Sequence, residues 1–167
     1  MVRIFVLMIA MVGLLAACEE QPRVDENGNV IRIFWIKDKM VPEIQFRHLD
    51  TVNAVREANG LAPVALSSEL NAAANTHALD MSRQNRPWHF GSDGSSPLDR
   101  VARAGYPGEF VGENLSETFE DDLLTMQAWM KDPLTRGTVL DPNARFVGIG
   151  WFQEQNGKIW WVQLMGS

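Results

Sequence analysis

The stretch FVGIGWFQEQNGKIWWVQLM, Phe146–Met165, decides the fold. Two runs rich in β-branched and aromatic residues, Phe146 to Gln153 and Lys158 to Met165, flank Gln155-Asn156-Gly157, a sequence suited to a hairpin turn. Successive side chains on a strand point to opposite faces, so the neighbours Trp160 and Trp161 must serve different sides of a sheet. Trp151 and Phe152 repeat the pattern on the partner strand. A sheet wet on one side would alternate apolar and polar residues, whereas this hairpin is apolar on both. Helices must therefore cover both faces, which predicts an α+β protein: a three-layer α/β/α sandwich around a mainly antiparallel central sheet. The tryptophans read as core rather than as a stacking platform for sugars.

The helices to clothe that sheet lie upstream. A helix is predicted from about Phe46 to Asn59, stopped by Gly60, with Leu49, Val52 and Val55 inward and Arg56 in the same arc. An inward arginine must find carbonyl or carboxylate partners, because burying it unpaired is too unfavourable. A second helix, capped by Ser67 or Ser68, runs to about Ser82. Leu70, Ala73, Ala74, His77, Ala78 and Met81 form its inward face, so His77 is either a hydrogen-bonded core histidine or a cavity residue. Ser96, Pro97 and Asp99 mark the start of a short third helix that Gly105 ends. A fourth opens at Thr118 and Asp121, buries Leu123, Met126, Trp129 and Met130, and stops at Pro133. Ahead of all these, Asp25 to Asn29 is a turn signal and Val30 to Ile36 a strand-like run, set apart by Pro42.

The N-terminus reads as an export signal: Arg3, then an apolar stretch from Ile4 to Leu14 too short to span a bilayer comfortably. Leu15-Ala16-Ala17-Cys18 looks like a bacterial lipobox, with cleavage before an acylated Cys18. Each buried acyl methylene contributes roughly 0.8 kcal/mol, so several chains would anchor the protein durably in a membrane. Glu19, rather than Asp, follows the cysteine, which favours an outer-membrane anchor facing the periplasm over inner-membrane retention. The expected organisation is residues 1–17 as lipoprotein signal peptide, 18–45 as a tether with a possible β-hairpin, and 46–167 as one domain. Cys18 is the sole cysteine, so the domain relies on its core and not on disulfides. A net charge of −6 without a Lys/Arg cluster argues against nucleic acid as a partner.

Chemistry concentrates in NRPWHFGSDGSSPLDRVARAGYPGEFVGENL, Asn85–Leu115, where His89 and Glu113 stand in two glycine-bearing segments read as loops on either side of the third helix. No G-x-S-x-G elbow is present, so a serine nucleophile has little support. This block resembles the CAP superfamily (cysteine-rich secretory, antigen-5 and pathogenesis-related-1 proteins; SCP-like in bacteria), in which an H-x-G-S-D-G-S-S-P run and a G-E-N run line a cleft. Here those are His89, Gly91 to Pro97, and Gly112-Glu113-Asn114. LDTVNAVREANGL, AAANTHALDM and VGIGWFQEQNGKIWWVQLMG extend the resemblance from Phe46 to Gly166.

The resemblance implies a cleft carrying His89, Glu113, Asn114, Asp132, Thr135 and His77. Many members present two histidines and two acidic residues able to hold a divalent metal. Thr135 stands here where bacterial relatives place the second histidine, and threonine is a poor zinc ligand, so no cofactor is expected. An alternative metal set, His77, His89 and Glu113 with Asp132, requires those side chains to converge. Three functions are open. The first is an envelope protein, anchored to the membrane through Cys18, that binds a small, hydrophobic ligand or a protein partner in the cleft. The second is a hydrolase of envelope peptides or glycans using His89 and Glu113 as its catalytic pair. The third is a scaffold contacted by strand addition at Asn27 to Ile36, whose deletion from Val24 to Lys39 leaves the domain folded.

Overall fold

The computed structural model describes residues 33–167 together with Gly28 and Val30. The leader, the lipobox and Cys18 lie outside the described residues, as do residues 31 and 32 of the expected early strand. The chain divides into two units, Met1–Ile31 and Arg32–Ser167, and the second is the subject below.

Its centre is the predicted hairpin. Strands β3 (Phe146–Gln153) and β4 (Ile159–Gly166) pair antiparallel, with Trp151 opposite Trp161 and Phe152 opposite Trp160. Two further strands complete a sheet of order β1-β3-β4-β2: β1 (Ala65–Leu66), parallel to β3, and β2 (Phe110–Thr118), antiparallel to β4. Every residue of β4 is buried, and the strand divides its side chains as its tryptophans foretold. Ile159, Trp161 and Met165 join one core; Trp160, Val162 and Leu164 join the other.

Five helices cover the two faces. On one side lie α1 (Val41–Ala58), α4 (Asp122–Lys131) and α5 (Pro133–Val139), contributing Ile44, Val52, Met126, Trp129 and Val139. On the other lie α2 (Ser68–Gln84) and α3 (Pro97–Arg103), contributing Leu70, Ala73, Ala74, Ala78, Met81 and Val101. The architecture is the three-layer α/β/α sandwich.

Helix α2 sits unusually close to β3. A Cβ at Gly148 would run into the backbone of Leu70 and Asn71, and one at Gly150 into that of Ala74 and Asn75. Because β1 pairs only with Phe146 and Val147, the rest of β3 has an open edge on that side. Asn71 Oδ1 accepts from the Ile149 amide at 2.8 Å and Asn75 Oδ1 from the Trp151 amide at 3.0 Å, so one helix turn closes the edge.

Several boundaries differ from the sequence expectation. Helix α1 starts at Val41, with Pro42 inside its first turn, because proline lacks the N–H that a first turn leaves unused. Its fully inward residues are Ile44, His48, Val52 and Arg56, while Leu49 and Val55 flank that line. Arg56 is wholly buried and donates to the carbonyls of Ala62, Val139, Asp141 and Ala144, the partners its position required. Pro133 ends α4 but also begins α5, since Asp132 accepts from the Leu134 amide as an N-cap. In α4 the inward residues are Asp122, Thr125, Met126 and Trp129, and Leu123 is exposed.

Residues 33–37 form no regular strand and are fastened to the sandwich. The Phe34 amide donates to the Phe119 carbonyl, and Gln153 holds both the Ile36 amide and the Phe34 carbonyl. Phe34, Ile36 and Met40 pack against the α1/α4 core, so the expected tether ends as part of the folded unit.

Candidate functional site

Strand β2 carries the glutamate. Its register sets Glu113 opposite Leu164 and Asn114 opposite Gln163, so the two neighbours serve opposite faces of the sheet. Glu113 turns toward α2 and α3; Asn114 turns toward the side of α1, α4 and α5. The sequence placed both in a glycine-bearing loop. They belong to a strand instead, irregular between Phe110 and Gly112, and Gly112 is small because the Thr138 side chain of α5 presses against it.

His89 lies in the loop between α2 and α3, and that loop is held at several points. Asn85 leaves α2 in the left-handed region at φ 50°. Trp88 donates from its indole to Gln84, and its carbonyl lies 2.9 Å from His77 Nε2. Asp80 accepts from both the amide and the hydroxyl of Ser92. Beyond them the capping box of Ser96 and Asp99 starts α3, which delivers Arg100 inward. Arg100 donates through Nη1 to the carbonyls of His89 and Ser95.

These anchors bring three side chains together. His89 Nδ1 is 2.8 Å from Glu113 Oε1, and Arg100 Nη2 is 2.6 Å from Glu113 Oε2. The glutamate side chain is 1% exposed and the arginine 6%, whereas the imidazole is 57% exposed. A carboxylate only accepts, so Nδ1 carries the proton, and Nε2 of the half-exposed ring makes no hydrogen bond among the described residues. The hydrogen bond to Glu113 raises the His89 pKa above its ordinary value, against the opposing effect of partial burial. The arrangement is a half-exposed imidazole oriented by a buried carboxylate, itself neutralised by a buried guanidinium.

The other four candidates make no hydrogen bond to it, although His77 lies near enough to feel the charges of Glu113 and Arg100. His77 is fully buried with Nε2 on the Trp88 carbonyl; burial lowers its pKa, so it supports the His89 loop as a neutral ring. Asn114 donates to the Thr135 carbonyl, and the Thr135 hydroxyl donates to the Trp129 carbonyl at 2.6 Å. Asp132 caps α5. Asn114, Asp132 and Thr135 thus tie α4 and α5 to the far face of β2.

Nor do the residues fit a divalent ion. Both Glu113 oxygens are engaged, one of them by a cation that would repel a metal, and the Thr135 oxygen is committed to a backbone carbonyl. Among the described residues no group of three or more His, Cys, Asp or Glu side chains is placed to hold one. Arg100 is the site residue that sequence reasoning missed. The only sequence signal was its place beside the inward Val101 on a well-capped helix, and its partner stands 13 residues away on another element.

The family model for the cysteine-rich secretory protein family (CAP) matches residues 49–165. The uncharacterized protein YkwD of Bacillus subtilis (strain 168) is 28% identical over 119 residues, which are 71% of this chain and 46% of that protein. The uncharacterized membrane protein YlbC of the same organism is 25% identical over 116 residues, 70% of this chain and 33% of YlbC. The chain therefore spans less than half the length of these curated relatives. Among solved structures, an extracellular SCP-domain protein from Bacillus anthracis str. Ames superposes with a TM-score of 0.69 at 20% identity, covering 80% of this chain and 45% of that one. An outer surface protein from Borrelia burgdorferi gives 0.65 at 14% identity, covering 81% and 98%. With the matched segment running from within α1 to β4 and the sandwich assembled around it, the chain belongs to the CAP family.

Proposed function

We propose that this is an exported, lipid-anchored protein of the bacterial cell envelope whose CAP domain binds an amphiphilic small molecule at His89. The observation that carries the reading is the free Nε2 of a half-exposed imidazole locked from behind by Glu113 and Arg100. A rigid polar edge of this kind suits a ligand headgroup, donating when protonated and accepting when neutral. Phe90, half exposed, meets Trp88 edge to face at 5.8 Å, and Arg86 covers the Trp88 ring at 4.0 Å. An apolar tail has aromatic surface to lie on beside the polar edge. The anchor and the envelope location rest on the leader and the lipobox at Cys18.

The test is to purify the full chain in detergent from its native host and identify bound small molecules by mass spectrometry. A lipid-like ligand should co-purify with the wild type and be lost from His89→Ala. Absence of any such molecule, together with unperturbed His89 ring resonances across a lipid panel, would sink the reading.

A second reading is favoured by the 2.8 Å contact of His89 and Glu113: a hydrolase in which His89 is the base and Glu113 its orienter. Hydrolysis of an envelope peptide or glycan that survives both His89→Ala and Glu113→Gln excludes that assignment.

A further inference from the structure

Strand β2 ends one side of the sheet, and the ladders fix which of its main-chain groups are engaged. Asn71 and Asn75 take the amides of Ile149 and Trp151, so these residues of β3 face away from β4, while Gly148, Gly150 and Phe152 pair with it. Gly150 stands opposite Val162, which therefore turns its amide and carbonyl toward β3. The next residue, Gln163, turns its own toward Asn114 of β2. By the same alternation Asn114 and Ser116 bond to β4, whereas Glu113, Leu115 and Glu117 point their amides and carbonyls off the sheet. The Leu115 carbonyl agrees with this phase, since it accepts from the Trp129 indole outside the ladder. The amides of all three residues and the carbonyls of Glu113 and Glu117 have no hydrogen-bond partner among the described residues.

The edge reaches solvent beside His89. Glu113 as a whole residue is 8% exposed but its side chain only 1%, so what it shows to solvent is main chain. Gly112 next to it, which has main chain only, is partly exposed. Helical layers flank the edge on both sides. On one face His89 and Arg100 meet Glu113; on the other, α5 sets Thr135 against Asn114 and Thr138 against Gly112. Leu134, 83% exposed, stands one helical turn before Thr138 and adds an apolar lip. A second copy carries the same walls around its own β2, so two such edges are kept apart, whereas a single extended chain has no walls of its own. The protein already uses this device close by: the Phe34 amide donates to the Phe119 carbonyl, two residues on from Glu117. Arg100 neutralises the Glu113 carboxylate, and threonine and leucine make the opposite wall, so nothing there calls for a charged side chain.

We propose that the β2 edge from Glu113 to Glu117 takes up an extended, uncharged segment of a partner protein as an added strand, its side chains pointing alternately toward His89 and toward α5. This goes beyond the reading at His89, because main-chain atoms and not the imidazole do the recognising.

The experiment probes an array of blocked hexapeptides, covering every arrangement of valine and threonine, with the full chain in detergent, then follows amide hydrogen exchange with the tightest binder. In the free protein the Glu113 and Glu117 amides should exchange quickly and those of Asn114 and Ser116 slowly. The peptide should slow the Glu113 and Glu117 amides by at least about tenfold. Methylating a peptide amide that pairs with β2 should weaken binding by about tenfold, and methylating its neighbour, which points away, should not. Glu117→Pro removes an outward N–H and spares the β4 ladder, so it should weaken binding by at least about tenfold while Asn114 and Ser116 stay protected. Glu117→Ala should bind like the wild type. If the proline variant fails to fold, exchange and methylation in the wild type decide the matter. A lipid at His89, present or absent, does not alter these readouts, so the two readings fail separately. No binder in the array, Glu113 and Glu117 amides already protected in the free chain, methylation without effect at every position, or a concentration-dependent dimer protecting the same amides would each overturn the proposal.

Discussion

His48 illustrates how a single buried ring sets the acid response of this fold. It is 1% exposed, lies 2.9 Å through Nε2 from Gln163 Oε1, and meets the edge of Trp129. Burial lowers its pKa from 6.5 to about 4. Between those values the unfolded chain binds a proton that the folded chain refuses, so this ring makes stability fall as pH drops from 6.5, and the loss is complete below about 4. The full effect is about 3 kcal/mol. His48→Gln keeps a donor for Gln163 and removes the titration, so urea midpoints measured against pH should decline less steeply in the variant than in the wild type. A parallel decline in both would refute the assignment. His89 acts in the opposite sense: its pKa is raised, so its contribution is present below the unfolded value and fades as pH rises through the folded one.

Helix α2 was legible almost residue by residue, because its inward face repeats at helical spacing and its start carries a serine cap. The capping box of α3 was legible for the same local reason. Strand β2 was not: FVGENLSET lacks an apolar alternation, and its pairing with β4 is a long-range choice. Helix α5 was hidden because Asp132-Pro133 signals an end and a beginning equally well. At the site, the meeting of His89 with Glu113 was implied only by the family resemblance, the split of Glu113 from Asn114 needed the strand, and Arg100 needed the tertiary fold. The closeness of α2 to β3 gives a prediction at this scale. Gly150→Ala drives a methyl group into the α2 backbone, which should cost about 1–3 kcal/mol in chemical denaturation. A variant as stable as the wild type would show that α2 withdraws easily.

At the scale of the molecule, the folded unit begins earlier than the family match at residue 49. Phe34, Ile36 and Met40 cover the α1/α4 core, and Gln153 holds the backbone of residues 34 and 36. Deleting residues 33–40 should therefore lower stability by roughly 3–6 kcal/mol, the worth of three partly buried apolar side chains, readable as a lower thermal midpoint. An unchanged midpoint would make this segment dispensable decoration. The amide clamps of Asn71 and Asn75 have a different consequence. They occupy two of the main-chain donors along the open border of β3, so a strand from another copy finds fewer groups there to pair with, which works against edge-to-edge fibril growth.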